Sequence, residues 1–154
     1  MVTRLTDVIA YIYRKYPNRR ELSKARLIGM LYLIDWKYAL QYNSQLTGIE
    51  WSIDNNGPHP DAYALNSIEN DFQSLMKLSH VPRKSPKGIE PKVVSTIDFV
   101  INSSASLSLD EFIRLIYSTF PVITQRQIEN PNLGESAKKY KKIKPLLREE
   151  RERG

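Results

Sequence analysis

Two histidines, His59 and His80, are the first candidates for catalysis or metal binding, and they stand 21 residues apart with no further donor at helical or turn spacing. They read as a turn histidine and a loop histidine. The chain has no cysteine, which excludes a thiolate zinc site, a cysteine nucleophile and a disulfide framework. Six glycines in 154 residues form no phosphate-cradling loop. Asp54, Asp61, Glu69 and Asp71 could be drawn together as a carboxylate pair, but their spacing is that of a polar helix face. A serine, a histidine and an aspartate can be picked from any chain of this size, so that set carries no weight. The chain is therefore expected to be non-enzymatic and to need neither cofactor nor metal.

Binding chemistry is easier to find. Basic and aromatic residues interleave at Lys138, Lys139, Tyr140, Lys141, Lys142 and Lys144. Such a run could follow a phosphate backbone with Tyr140 stacked on a base, or simply keep a terminal segment solvated. Residues 1–78 hold 9 Lys and Arg against 8 Asp and Glu, a net +1, and residues 79–154 hold 14 against 9, a net +5. The segment from Ser136 to Gly154 alone holds 8 against 3, so the overall charge of +6 belongs to the C-terminal end. Asp35 is the other residue that calls for a partner. It shares a helix side with Leu31, Tyr38 and Tyr42, where an unpaired carboxylate is costly. Either a group inside the fold satisfies it, or that side opens onto a binding surface.

The elements that must position these residues follow from periodicity. Leu5, Val8, Ile9, Ile12 and Tyr16 fall on one helical face, with Tyr11 projecting from the polar side, and Pro17-Asn18 ends the pattern. From about Ser23 to Tyr42 the chain is apolar nearly all round, as in a central helix packed on several faces. Ile49, Trp51 and Ile53 alternate as in a short strand, and Asn56-Gly57-Pro58 signals a turn. Pro60 and Asp61 open a third helix, whose buried stripe is Leu65, Ile68, Phe72, Leu75 and Met76. Prolines and basic residues over 81–92 predict an exposed loop at the tip of a loose hairpin, with strands near Lys77–His80 and Ile89–Val93. A fourth helix begins at Val93 and is interrupted at Asn102–Ser106. Ser108-Leu109-Asp110-Glu111 is a capping box, with Leu107 placed to staple onto Phe112. Phe112, Ile113, Ile116 and Phe120 are expected on that helix's core face, and Pro121 is expected to stop it. Pro145 is expected to start a short last helix.

These patterns predict a mainly α, compact helical domain over residues 1–136 with a short strand or hairpin, followed by a basic C-terminal tail over 137–154. No run of apolar residues is long enough to span a membrane, and the N-terminus lacks a signal core, so a cytoplasmic setting is expected.

Part of the chain resembles a known family. Lys24, then Leu31-Tyr32-Leu33-Ile34-Asp35, Tyr38, Leu46-Thr47, Trp51, Gly57-Pro58 and Tyr63 follow one another as in the Panacea antitoxin domain, the family of SocA-like and phage-associated GepA-like proteins. Ser108-Leu109-Asp110-Glu111-Phe112 resembles a later helix of that family more loosely. His59 departs from the usual apolar residue after Gly-Pro, and Tyr117-Ser118 stands where many members place a histidine. The resemblance implies an antitoxin that neutralises a toxin protein encoded beside it in bacteria or phage, and in one member type delivers it to a cellular protease. On that basis Asp35, Trp51, Asn56, Gly57, Pro58, His59 and Tyr63 are the expected partner-binding residues. The competing expectation is a winged-helix-like DNA-binding regulator, with the third helix as reader and the Pro82–Pro91 loop as wing. Glu69 and Asp71 on that reader are poor neighbours for phosphates.

Overall fold

A helix that is apolar on most sides can be stable only if other elements cover those sides. The computed structural model describes residues 3–78, 88–124, 128–129 and 132–153, with the backbone alone described at 128–129 and 145–153. Its centre is the helix Lys24–Tyr42 (α2), in which Leu27, Met30, Leu31, Tyr32 and Ile34 are fully buried. The Ser23 hydroxyl accepts from the Arg26 amide at its start. Asn43 ends it in a left-handed conformation (φ 57°), which asparagine tolerates better than most residues.

The other elements wrap this rod. Leu5–Lys15 (α1) packs against Ala62–Met76 (α3) and Pro91–Ser104 (α4). Helix α4, Leu109–Tyr117 (α5) and Leu133–Arg153 (α7) lie directly against α2, and the short helix Phe120–Thr124 (α6) joins α5 to α7 in space. A three-stranded antiparallel sheet completes the fold, in the order Gly57–His59 (β2), Ser52–Asp54 (β1), Ile128–Glu129 (β3). The β1–β2 register pairs Asp54 with Gly57 and Ser52 with His59, a hairpin with two residues at its tip. The fold is thus mainly α with a short hairpin.

Several expectations are corrected by packing. Tyr11 does not project into solvent: it is buried against α4, where its hydroxyl lies 2.6 Å from Asp98 Oδ1. That contact and burial both raise the phenol's pKa, burial most. No strand forms at Ile89–Val93, because Pro91 sits at the first position of α4 and its fixed φ suits a helix start. Helix α4 also runs through Asn102 to Ser104 without interruption. The described hairpin lies between α2 and α3, and α3, the reader of the winged-helix reading, contains no lysine or arginine to meet phosphates. His80 and residues 82–87 of the expected wing lie outside the described residues. The capping box is present as expected, with Ser108 Oγ accepting from the Glu111 amide and the Glu111 carboxylate from the Ser108 amide. Pro121 does not stop α5, which already ends at Tyr117; it is the second residue of α6.

The largest correction concerns the C-terminus. Helix α7 starts at Leu133 and passes through both the expected domain boundary at 136 and the expected helix start at Pro145. Leu133 and Ala137 are fully buried, and Tyr140 packs edge-on against Trp36 (ring centroids 6.1 Å apart) and tilted against Phe120 (5.5 Å). Gly134 permits this close approach to α2, since a Cβ there would lie 2.5 Å from the Asn43 carbonyl oxygen. Residues 137–140 therefore belong to the body and not to a tail. Tyr140→Ala is expected to lower stability by about 2–4 kcal/mol, the usual cost of emptying an aromatic site, and truncation after residue 136 to abolish cooperative urea unfolding. A truncated protein that melts like the full chain would place α7 outside the core.

Candidate functional site

The connector after α2 is irregular, so its polar backbone needs partners, and Asp35 supplies them. The Asp35 carboxylate accepts from the Thr47 amide (2.8 Å), the Thr47 hydroxyl (2.6 Å) and the Trp51 indole Nε1 (2.9 Å). Asp35 and Trp51 are 0% and 1% exposed, so neither can touch a partner. Of the two readings open for Asp35, the geometry selects satisfaction inside the fold. Burial pushes its carboxyl up from 3.8 to about 6, and the donors of Thr47, Trp51 and Leu46 oppose that rise. Trp51 is held further by an edge contact on Tyr32, with ring centroids 5.5 Å apart. The Gln45 amide donates to the carbonyls of Thr47 and Ile49, bracing the connector from within.

This set of bonds aims the hairpin. At its tip the Asp54 carboxylate accepts from the Asn56 amide (2.7 Å) and lies 2.9 Å from His59 Nε2. The His59 contact and then the Asn56 amide hold Asp54 below the usual carboxylate range. The Ser52 hydroxyl points to the His59 carbonyl rather than its ring, so the three side chains form a turn clamp and not a nucleophile–base pair. Gly57 adopts φ +94°, and a Cβ there would sit 2.8 Å from Tyr117 Cε1. The tight turn and the close approach of α5 both require glycine. Asp61 caps α3 through the Ala64 amide and ties back to the Glu50 amide; these bonds outweigh its burial and lower its pKa.

What reaches solvent is the outer side of this assembly. Asn56 is exposed, and Pro58 and His59 are half-buried. Beside them α5 presents Leu109, Ile113 and Tyr117, at 53%, 38% and 41% exposure and spaced i, i+4, i+8 on one face. A depression of about 170 Å³ joins the two, lined by Ala25, Ile28 and Gly29 of α2, Asn56 and Pro58 of the turn, and Ile113, Ile116 and Tyr117 of α5. Tyr63 is not part of it. It is 84% exposed and borders a separate concavity of about 380 Å³ with Leu5, Gly48, Ile49, Glu50 and Asp61.

The expected set thus divides into a buried lock (Asp35, Trp51), an exposed turn (Asn56, Pro58, His59, with Gly57 buried beneath) and an isolated Tyr63. The expected nucleic-acid set divides as well. Lys138, Lys139, Lys141, Lys142 and Lys144 are exposed, whereas Tyr140 is half-buried and packs against Trp36 and Phe120. Sequence reasoning placed Ile113 in the core and left out the outward stripe of α5. The available signal was a second apolar series in one helix, Leu109–Ile113–Tyr117, beside the core series Phe112–Ile116. Among the described residues no group of three or more His, Asp or Glu side chains could hold a metal ion, and no helix is long and apolar enough to cross a membrane.

The family model of the antitoxin SocA-like, Panacea domain matches residues 27–121, from the first buried turn of α2 to the start of α6. That span contains the Asp35 lock, the hairpin and the whole of α5. No curated protein and no solved structure matches the chain.

Two outcomes follow for the lock and the turn. Asp35→Asn turns an amide group toward at least one buried donor and is expected to cost about 1–3 kcal/mol at pH 7. Because the folded pKa of Asp35 lies above its unfolded value, the folded state binds the extra proton, and this group adds stability as pH falls through about 6 toward 3.8. The wild-type advantage over Asp35→Asn in urea melts should therefore widen by about 2 kcal/mol between pH 7 and pH 4, other carboxylates cancelling in the difference. A gap independent of pH would contradict it. Gly57→Ala should cost about 1–3 kcal/mol from backbone strain and the Tyr117 clash, and adding Tyr117→Ala should recover only the clash. An unchanged melting midpoint for Gly57→Ala would show that the turn tolerates a side chain.

Proposed function

The chain belongs to the SocA-like Panacea domain family, and from that membership we propose that it is an antitoxin that binds and neutralises a toxin protein through the face formed by the hairpin turn and α5. The observation that carries the reading is the coincidence of the family match with this face: residues 27–121 include the hairpin, the whole of α5 and all of α2 but its first three residues. Leu109, Ile113 and Tyr117 supply apolar contact area beside a concavity, with Asn56 and His59 as polar rim, the composition of a protein interface. Asp35, Trp51 and Gly57 act on this face from beneath, as positioning residues, and Tyr63 stands outside it.

The function requires neither enzymatic chemistry nor phosphate contacts. Recognition by a largely uncharged face predicts weak salt dependence, in contrast to the steep loss with salt that lysine–phosphate binding gives. The experiment is co-expression in bacteria with the product of the adjacent reading frame, scored by growth rescue, together with pull-down across a salt series and the half-life of that product. Wild type should restore growth and retain its partner at high salt, and delivery to a protease would show as a shortened half-life. Ile113→Asp and Tyr117→Asp should weaken capture at least tenfold with little change in melting. Unimpaired capture by both variants would move the interface elsewhere. Growth arrest without rescue, or tight binding to promoter DNA that collapses with salt, would overturn the antitoxin reading.

A further inference from the structure

A larger concavity lies on the other side of α5. It has a volume of about 430 Å³ and an apolar lining from α2 (Leu33, Trp36, Leu40), α4 (Phe99) and the α5–α6 corner (Leu115, Phe120), with Tyr140 of α7 at one edge. Phe99 is 52% exposed at the rim. Three hydroxyls of the lining are already engaged, Ser104 donating to the Val100 carbonyl, Ser118 to Leu115 and Thr119 to Ile116, and the fourth, Ser103, lies at the exposed rim. The interior therefore has no convergent polar set that would orient a small polar ligand.

The charge at the mouth has one sign. No lining residue is acidic, and Lys37 places its ammonium 4.1 Å above the Phe99 ring. Among the described residues no carboxylate lies within ion-pair distance of Lys37. Lys144 adds a second cation, 5.9 Å from the centroid of the Tyr140 ring that borders the groove. An apolar trough between helices with cations at its lip suits an amphipathic helix whose apolar side chains enter the trough and whose carboxylates meet the lysines. A second copy of this chain is a poor occupant, since each copy carries +6. A nucleic acid would have to lay phosphates over an apolar floor.

We propose that the groove formed by α2, α4, the α5–α6 corner and α7 is a second docking site, which takes an acidic amphipathic helix of a partner protein with Lys37 as its charge-reading residue. The proposal deepens the antitoxin reading, resting on it only for the partner's being a protein. The two sites flank opposite sides of α5, so one partner could engage both.

The test uses the full chain and designed 14-residue helical peptides with leucine and phenylalanine on one face and glutamate on the other, beside a lysine counterpart of the same apolar face. The chain has two tryptophans, and Trp36 lines the groove while Trp51 is buried in the lock, so the indole N–H signals in nitrogen-15 NMR report the site separately. The glutamate peptide should move the Trp36 signal and leave Trp51 in place, whereas the lysine peptide should bind at least tenfold more weakly. Lys37→Glu should invert that preference. Equal binding of both peptides, no movement of Trp36, or a Trp36 shift produced instead by duplex DNA or by raising the protein concentration would overturn the proposal. Capture of a toxin that Tyr117→Asp abolishes and Lys37→Glu leaves unchanged would also overturn it, with the antitoxin reading intact.

Discussion

A carboxylate fully removed from water must be met by donors, and Asp35 is met by a backbone amide, a hydroxyl and an indole from one short segment. The consequence is structural rather than chemical. Residues 44–51 have no regular ladder to hold them, and the carboxylate replaces one, drawing Thr47 and Trp51 onto the side of α2. Trp51 leads directly into β1, so the position of the hairpin depends on this one group. The bond also runs in the other direction: a tryptophan buried at this site would carry an unsatisfied N–H without Asp35.

From the lock outward, each contact narrows the geometry further. The hairpin tip can approach α5 only because Gly57 lacks a Cβ where Tyr117 passes, and α5 can approach α2 because Gly29 leaves room for Phe112 and Ile116. Gly134 does the same for α7 at the end of α2. Three close approaches at three glycines set the spacing of the helices that flank both concavities. The exposed apolar residues of α5 are then left over by the packing, since its inner face is already filled by Phe112 and Ile116. Their outward stripe is what a partner surface requires, and the lock holds it in register with the turn.

The two faces of α5 differ in character. The turn side is apolar with a polar rim, and the groove side is apolar with cations. Such a division allows shape to provide most of the affinity on one side and charge to provide discrimination on the other. Lys144 of α7 stands beside the groove without α7 being a free tail, because the first two turns of α7 are anchored by Leu133, Ala137 and Tyr140.

Much of this was legible in the residues. The all-round apolar pattern identified α2 as the central helix, the capping box placed the start of α5 to the residue, and Asn56-Gly57-Pro58 marked the turn, because each is a local signal with a local cause. The inconsistency of a carboxylate on an apolar side also marked Asp35 as a residue needing a partner. What the residues could not decide was anything set by partners distant in sequence. Tyr11 reads as exposed until Asp98 accepts from it, Tyr140 reads as part of a solvated basic run until Trp36 and Phe120 pack against it, and Ile113 reads as core until Phe112 and Ile116 fill that side first. Periodicity establishes that a helix has an apolar face. Which face is covered, and by what, depends on long-range packing, and that was decided only when the tertiary structure brought α4, α5 and α7 against α2.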